Sequence, residues 1–299
     1  MKTYDVIIVG GSHAGLSAAL CLGRSLRQTL VIDSGNPCNQ SSPQVHNLLI
    51  QDGEIPHSIL EKSKRQVLGY PTVAFWEDVV ISAEKGDGFF AVGTQTGKTF
   101  RSQKLLFATG LTDIMPDIPG FSECWGQSVL HCPYCHGYEA KGTKTGILGN
   151  GGLAYEMAKS VRQWTNDLVI FTNGRPVFSE SEIEKFKLKN IAIIDSEIKS
   201  IEQTDGWVEN LVFKDGKRHE IHTLYAHPHT KQQCNLMAFF GCKTNSHGCV
   251  ETDVFQRTNI PGIYAAGDCS SVGRAVSVAI AAGTVAGMFI NKEMIEEAF

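Results

Sequence analysis

Tyr4-Asp5-Val6-Ile7-Ile8-Val9-Gly10-Gly11-Ser12-His13-Ala14-Gly15 is the stretch that decides the fold. Residues 4–9 read as a strand, closing on Val6–Val9, a run of four β-branched apolar residues. Gly10–Gly15 is a glycine turn, and Leu16–Leu26 continues as a helix with small residues at Ala18 and Ala19. Thr29–Ile32 reads as a second strand and ends at Asp33. A strand–turn–helix–strand unit of about 30 residues is the size of a dinucleotide-binding start. In such a loop Gly10 makes the tight turn and Gly15 lets the helix pack on the strand. The helix N-terminus then offers free N–H groups to a pyrophosphate. Asp33 stands where a carboxylate can bond a ribose hydroxyl. The middle glycine of G-x-G-x-x-G is Ser12 here, with Gly11 beside it. Gly10, Gly11, Ser12, Gly15 and Asp33 are therefore candidate cofactor-binding residues.

Outward from this unit the chain repeats the pattern. A β-rich stretch, Val73–Phe107, carries turn signals at Gly86-Asp87-Gly88 and Gly97-Lys98, and ends in strand Lys104–Phe107 and the turn Ala108-Thr109-Gly110. Two prolines mark Met115–Gly120 as a linker. A second unit follows: strand Thr145–Leu148, turn Gly149–Gly152, helix Leu153–Trp164, strand Leu168–Thr172. Further β signals occupy Asp195–Asp215, and the chain returns to its first domain near Ala226–His229. It closes with strand Gly262–Ala266, Gly267-Asp268 and a helix starting near Arg274 and Ala275. The expected fold class is α/β, with two Rossmann-like, three-layer dinucleotide-binding domains, the second inserted into the first. The expected boundaries are 1–113 with 228–299 for one, and 114–227 for the other.

With 299 residues the chain is long enough for two full cores. An apolar fraction of 42% and a charged fraction of 19% exclude disordered and fibrous classes. A formal charge of −4 and a pI near 6.2, without a Lys/Arg block, give no reason to expect nucleic acid or an anionic membrane. The N-terminus enters a strand directly, so no secretory leader is expected. The apolar run Ala275–Ile290 is shorter than the roughly 18–20 residues of a span and reads as a buried helix. A cytoplasmic protein is expected.

Of nine cysteines, only Cys132 and Cys135, in Cys132-Pro133-Tyr134-Cys135, share a redox spacing. An odd count without a leader argues against a disulfide framework, and most of the others read as small buried apolar residues. His131 and His136 flank the pair, and either can carry the proton that thiol–disulfide exchange moves. His136 is favoured by adjacency; packing or surface roles are the alternative for each. Three other readings fit less well. Cys-x-x-Cys-His matches a c-type haem attachment site, which needs export. Zinc needs four ligands, and beyond Cys124 none is evident, so no metal is expected. A glutaredoxin carries this tetrapeptide near the start of a small fold, not between two Rossmann units.

The remaining nucleotide signals are less complete. In a flavoprotein Gly267-Asp268 at a strand end would hold the ribityl chain, and the start of the helix after it, Arg274 and Ala275, would face the flavin ring. An ordinary N-cap is the alternative. Gly149-Asn150-Gly151-Gly152-Leu153-Ala154 fits the G-x-G-x-x-A of a nicotinamide site, with Gly149, Gly151 and Ala154 in the motif positions. Its second strand runs into Thr172-Asn173-Gly174-Arg175, which offers no acid for NAD and only Arg175 for a 2′-phosphate. NADPH use and an empty retained fold both remain open.

The order of these motifs resembles low-molecular-weight thioredoxin reductases over nearly the whole chain. The resemblance implies FAD in the discontinuous domain, with Ala108, Thr109 and Gly110 among its contacts and Asn47 beside the flavin. It implies a redox pair in the inserted domain, Cys135 nearer the flavin and Cys132 attacking the partner disulfide. It also implies a homodimer and a thioredoxin-like partner. Two features depart from that family: His136 replaces the acid after the second cysteine, and the paired-arginine clamp is missing. The run Cys132-Pro-Tyr-Cys-His-Gly-Tyr-Glu139 is more similar to the branch of gliotoxin-type dithiol oxidases, which form disulfides in small molecules. The expected function is FAD-dependent thiol–disulfide exchange; oxygen-linked oxidation of a small dithiol and a non-catalytic flavin redox sensor are the alternatives.

Overall fold

The computed structural model describes residues 3–299, and in it Val6–Val9 is the buried centre of β1 (Thr3–Val9). The chain continues through α1 (His13–Arg24), β2 (Thr29–Asp33), α2 (Pro56–Leu68), β3 (Val73–Glu77), β4 (Val80–Lys85), β5 (Phe90–Thr94), β6 (Thr99–Phe107) and β7 (Leu111–Ile114). Next come α3 (Phe121–Cys124), β8 (Val129–Leu130), α4 (Pro133–His136), β9 (Thr145–Leu148), α5 (Gly151–Val161), β10 (Leu168–Phe171), α6 (Glu180–Leu188) and β11 (Ala192–Ile194). The remainder is β12 (Ile198–Thr204), β13 (Trp207–Phe213), β14 (Arg218–Glu220), β15 (Thr223–Ala226), β16 (His229–Gln232), α7 (Leu236–Phe239), β17 (Ile263–Ala265) and α8 (Val276–Ala298). These elements pack as two units. One holds the chain up to Gln40, Leu48–Asp113 and Thr230–Phe299; the other holds Ser41–Asn47 and Ile114–His229.

The first unit is built on a sheet ordered β3-β2-β1-β6-β5-β4, with β17 also paired to β6. β1, β2, β3, β6 and β17 are parallel, whereas β4 and β5 form an antiparallel extension. The stretch read simply as β-rich is thus divided between two roles. The parallel strands finish level: Val9 pairs with Ile32 and with Phe107, and Phe107 with Ala265. Gly10, Asp33, Ala108 and Ala266 therefore all leave the sheet at its C-terminal edge, where open α/β sheets bind ligands.

α1 and α8 pack together because small residues face each other. A Cβ on Gly283 would lie 2.0 Å from the Ala14 carbonyl oxygen, so only glycine allows this approach. At the far end of α8, buried Lys104 donates to Glu293 at 2.6 Å and to Glu297 at 2.5 Å, and the Tyr264 hydroxyl donates to Glu293 at 2.6 Å. α8 is longer than the sequence run suggested. Its 23 residues are long and apolar enough to cross a membrane by length and composition alone. It is also less buried than expected. One stripe, including Gly283, Ala286, Gly287, Ile290 and Met294, is buried, while Val278, Met288 and Ile295 are exposed.

The second unit has a parallel sheet ordered β11-β10-β9-β15-β8 and a separate antiparallel sheet, β12-β13-β14. Leu148 pairs with Phe171 and Ala226, and Leu130 pairs with Tyr225. The second glycine loop and the cysteine turn consequently leave the same edge of one sheet. Residues 41–47, which the sequence reading kept with the first domain, pack in this unit through Ser42, His46 and a close approach of Ser41 to Gly126. α2 and α6 were not anticipated. α6 begins with a full capping box: the Ser179 hydroxyl accepts from the Glu182 amide, and Glu182 accepts from the Ser179 amide.

Candidate functional site

In the first unit the glycine loop is a cradle with no room to spare. Gly10 has φ +103°, and a Cβ there would meet the Ala108 carbonyl oxygen at 2.3 Å. A Cβ on Gly15 would stand 1.9 Å from the Gly10 oxygen. Ser12 occupies the N-cap of α1 without a side-chain capping bond, leaving the first-turn amides to face outward from the loop. Asp33 accepts from the Gly11 amide at 2.8 Å and from the Gly35 amide at 3.2 Å, which fixes its carboxylate at the strand end.

Two buried polar atoms here have no hydrogen-bond partner within the protein: Nε2 of His13 and Oγ1 of Thr109. Burial pushes the His13 imidazole down to about 4, so it is neutral near pH 7. A bound polar group is the ordinary way to satisfy such atoms. Across the sheet edge, Asp268 follows Gly267, which has φ +84°. Its carboxyl is held above the usual carboxylate range by burial, against the opposing effect of Arg274. Cys38 lies 3.6 Å from the same carboxylate. Arg274 grips Asp113 through two bonds of 2.6 and 3.1 Å and reaches Asp268 at 3.4 Å. Ala275 caps α8 with no side-chain bond, so its first-turn amides are also not capped by a side chain. The glycine cradle, two open helix starts and two orphaned polar atoms fit a dinucleotide such as FAD.

The second glycine loop is already occupied in part by its own residues. Asn150 accepts from the Gly151 amide and from the Val177 amide, both at 2.9 Å, and donates to the Arg175 carbonyl at 2.9 Å. Gly149 packs against Ala154, as the motif requires, and Gly151 has φ +62°. The turn after β10 is also tied to itself: Thr172 bonds the Gly174 carbonyl, and Asn173 accepts from the Ile198 amide. Arg175 is exposed.

Cys132 and Cys135 form a disulfide, half-buried, at the start of the single-turn helix α4. Cys132 is its N-cap, and its sulfur accepts from the Cys135 amide at 3.1 Å. Tyr134, between the cysteines, is exposed and meets Trp164 edge-on at 5.8 Å. His131 and His136 have different surroundings. The His131 ring stacks on Trp125, centroids 5.8 Å apart and 27° between planes. His136 Nε2 is 3.1 Å from the Ser42 hydroxyl, and its ring meets that of His46 edge-on at 6.2 Å. Burial chiefly, and then His46, hold His136 below the usual imidazole range; Glu139 pulls the other way. A neutral imidazole beside an openable disulfide can take a proton from an attacking thiol.

Sequence reasoning missed Ser42, His46, Asn150 and His13. Asn150 and His13 were visible inside motifs, but Ser42 and His46 reach His136 only through folding. Asn47 is exposed, has φ +58° and belongs to the unit that carries the cysteines. Among the described residues no group of three or more His, Cys, Asp or Glu side chains is arranged to hold a metal ion.

The sequence profile of the pyridine nucleotide-disulphide oxidoreductases matches residues 4–283. The chain belongs to that family. It is 29% identical over 304 residues to thioredoxin reductase tcpT of Claviceps purpurea, covering 98% of this chain and 95% of that protein. It is 28% identical to thioredoxin reductase aclD of Aspergillus oryzae, covering 97% and 96%. Among solved structures it resembles an oxidoreductase from Agrobacterium tumefaciens, with TM-score 0.91 and 31% identity, covering 98% of this chain and 99% of that one. The structure of HlmI gives TM-score 0.93 and 30% identity, covering 98% and 93%. The chain is an FAD-dependent disulfide oxidoreductase of thioredoxin-reductase type, and two Rossmann-like domains are its fold.

Proposed function

We propose that Cys132 and Cys135 exchange with a partner dithiol or disulfide, with Cys132 reacting with the partner, Cys135 exchanging electrons with the flavin, and His136 carrying the proton. The observation that carries this reading is the neutral His136 next to a half-buried disulfide whose Cys132 sulfur caps a helix. In the oxidising direction a partner thiol gives its proton to His136 and its sulfur attacks Cys132. The Cys132–Cys135 bond breaks, a mixed disulfide forms at Cys132, and Cys135 leaves as a thiolate. The partner's second sulfur then displaces Cys132, giving a partner disulfide and a reduced pair. The reducing direction is the same sequence reversed.

FAD, held by the loop Gly10–Gly15, Asp33, Thr109 and the Gly267-Asp268 turn of the first unit, supplies the two-electron acceptor or donor for the pair. Residues 114–227 are the nicotinamide-type domain in this reading. A second reading, oxidation of a small dithiol, is favoured by the second glycine loop. Asn150 spends its side chain inside that loop, and Arg175 is the one cation that residues 172–175 supply to an adenosine phosphate. A thioredoxin-like protein and a small dithiol are both partners this chemistry accepts.

Two further parts of the proposal concern the whole protein. A homodimer is supported by the exposed apolar residues Val278, Met288 and Ile295 along α8. A cytoplasmic setting is supported by Cys21 and Cys38, which form no disulfide in the structure and which a reducing compartment would keep as thiols. Anaerobic mixing of the oxidised protein with NADPH, NADH or a dithiol, followed at the flavin absorbance, tests the reading. Bleaching by a dithiol supports exchange at the pair. Bleaching by a dithiol that continues at the parent's rate when Cys132 is replaced by serine contradicts it.

A further inference from the structure

We infer that Glu139 and His46 are positioning residues for His136: the Glu139 carboxylate favours the proton-loaded ring that exchange produces, and His46 couples the two. This rests on the reading of His136 as proton carrier. The three side chains come from separate places, His46 from the segment 41–47, His136 from the end of α4, and Glu139 from the turn after it. His46 Nε2 lies 3.6 Å from Glu139 Oε1, and the His46 ring stands edge-on to His136 with centroids 6.2 Å apart. His46 is 16% exposed and Glu139 41% exposed, so the carboxylate is the more open of the two to water. Ser42 holds the other side of the ring, its hydroxyl 3.1 Å from His136 Nε2.

Burial and then His46 hold the His136 imidazole down, while Glu139 and a bond to the Gln44 backbone raise it. Burial chiefly, and then the Glu139 charge, push the Tyr225 phenol of β15 up, so it stays neutral. After reduction, the thiolate of the adjacent pair joins this set. A carboxylate held one ring away gives the imidazolium a counter-charge without quenching the free base by a direct ion pair. The two flanking groups therefore pull His136 in opposite directions, and their removal has opposite signatures.

The test reads the disulfide itself rather than turnover. Dithiothreitol opens the Cys132–Cys135 bond, and the new thiols are trapped by alkylation and counted by mass, across roughly pH 5 to 9. In Glu139→Gln the acid limb of the rate moves to lower pH by a few tenths of a unit to about one unit. In His46→Asn it moves to higher pH by a similar amount. His136→Asn loses the limb and slows by roughly tenfold or more. FAD content and circular dichroism confirm that each variant is folded, and Glu139→Asp restores part of the shift. Superposed limbs for parent, Glu139→Gln and His46→Asn, with the limb still lost in His136→Asn, overturn the inference and leave the base reading standing. A limb that survives His136→Asn overturns both.

Discussion

The Cys135 amide donates to the Cys132 sulfur across 3.1 Å, so one member of the redox pair caps the helix that contains the other. After reduction that bond, with the open first turn of α4, favours negative charge on Cys132 over Cys135. One charge-assisted bond is worth about 1.5 kcal/mol, roughly tenfold in thiolate population. Limited iodoacetamide treatment of the reduced protein near neutral pH is expected to label Cys132 about tenfold faster. Peptide mapping by mass checks it; equal labelling contradicts the asymmetry.

Gly15→Ala puts a methyl group 1.9 Å from the Gly10 carbonyl oxygen, and the obstacle is backbone. Either α1 shifts away from β1 or the loop opens. The expected cost is about 1–3 kcal/mol in stability, with FAD affinity down by at least roughly tenfold. Urea unfolding and fluorescence titration with FAD measure the two effects separately.

His13 gives the protein a pH dependence of known sign. Its folded value is about 4, below the unfolded 6.5, so the unfolded chain binds the extra proton. Full stability from this group is present above pH 6.5 and is lost as pH falls through that window towards 4. The loss reaches up to about 3 kcal/mol at the acid end. Unfolding of His13→Gln is expected to show a flatter slope than the parent between those values. Parallel slopes contradict the burial of a neutral ring.

NADPH is expected to reduce the flavin weakly and with little preference over NADH. Arg175 stands alone where a clamp needs a pair, and the loop's Asn150 is bonded to the chain itself. A missing charge-assisted contact removes about 1.5–3 kcal/mol, one to two decades in affinity. Stopped-flow reduction over a concentration series measures this. Tight, NADPH-selective reduction contradicts it.

The parallel strands were readable because their residues leave little choice. Val6–Val9 and Thr145–Leu148 are short apolar runs stopped by glycine loops, and both fall where expected. α6 could have been read from Ser179 and Glu182, whose capping spacing stands in the sequence. α2 opens with Pro56 at its first turn, another available signal. The surroundings of His136 were not readable. Ser42 and His46 lie some ninety residues earlier, in a segment without periodicity, and meet it only once the chain has folded. Arg274 shows a different limit: nothing around it in the sequence points to Asp113, 161 residues away, which its guanidinium grips.

Cys135→Ser tests the central claim most directly. The purified variant is expected to be yellow, to release FAD on denaturation at the parent's stoichiometry, and to keep its flavin oxidised when a dithiol is added without oxygen. The parent's flavin bleaches under the same conditions. Bleaching of the variant at the parent's rate would contradict the account, because the dithiol would then reach the flavin without the Cys132–Cys135 pair.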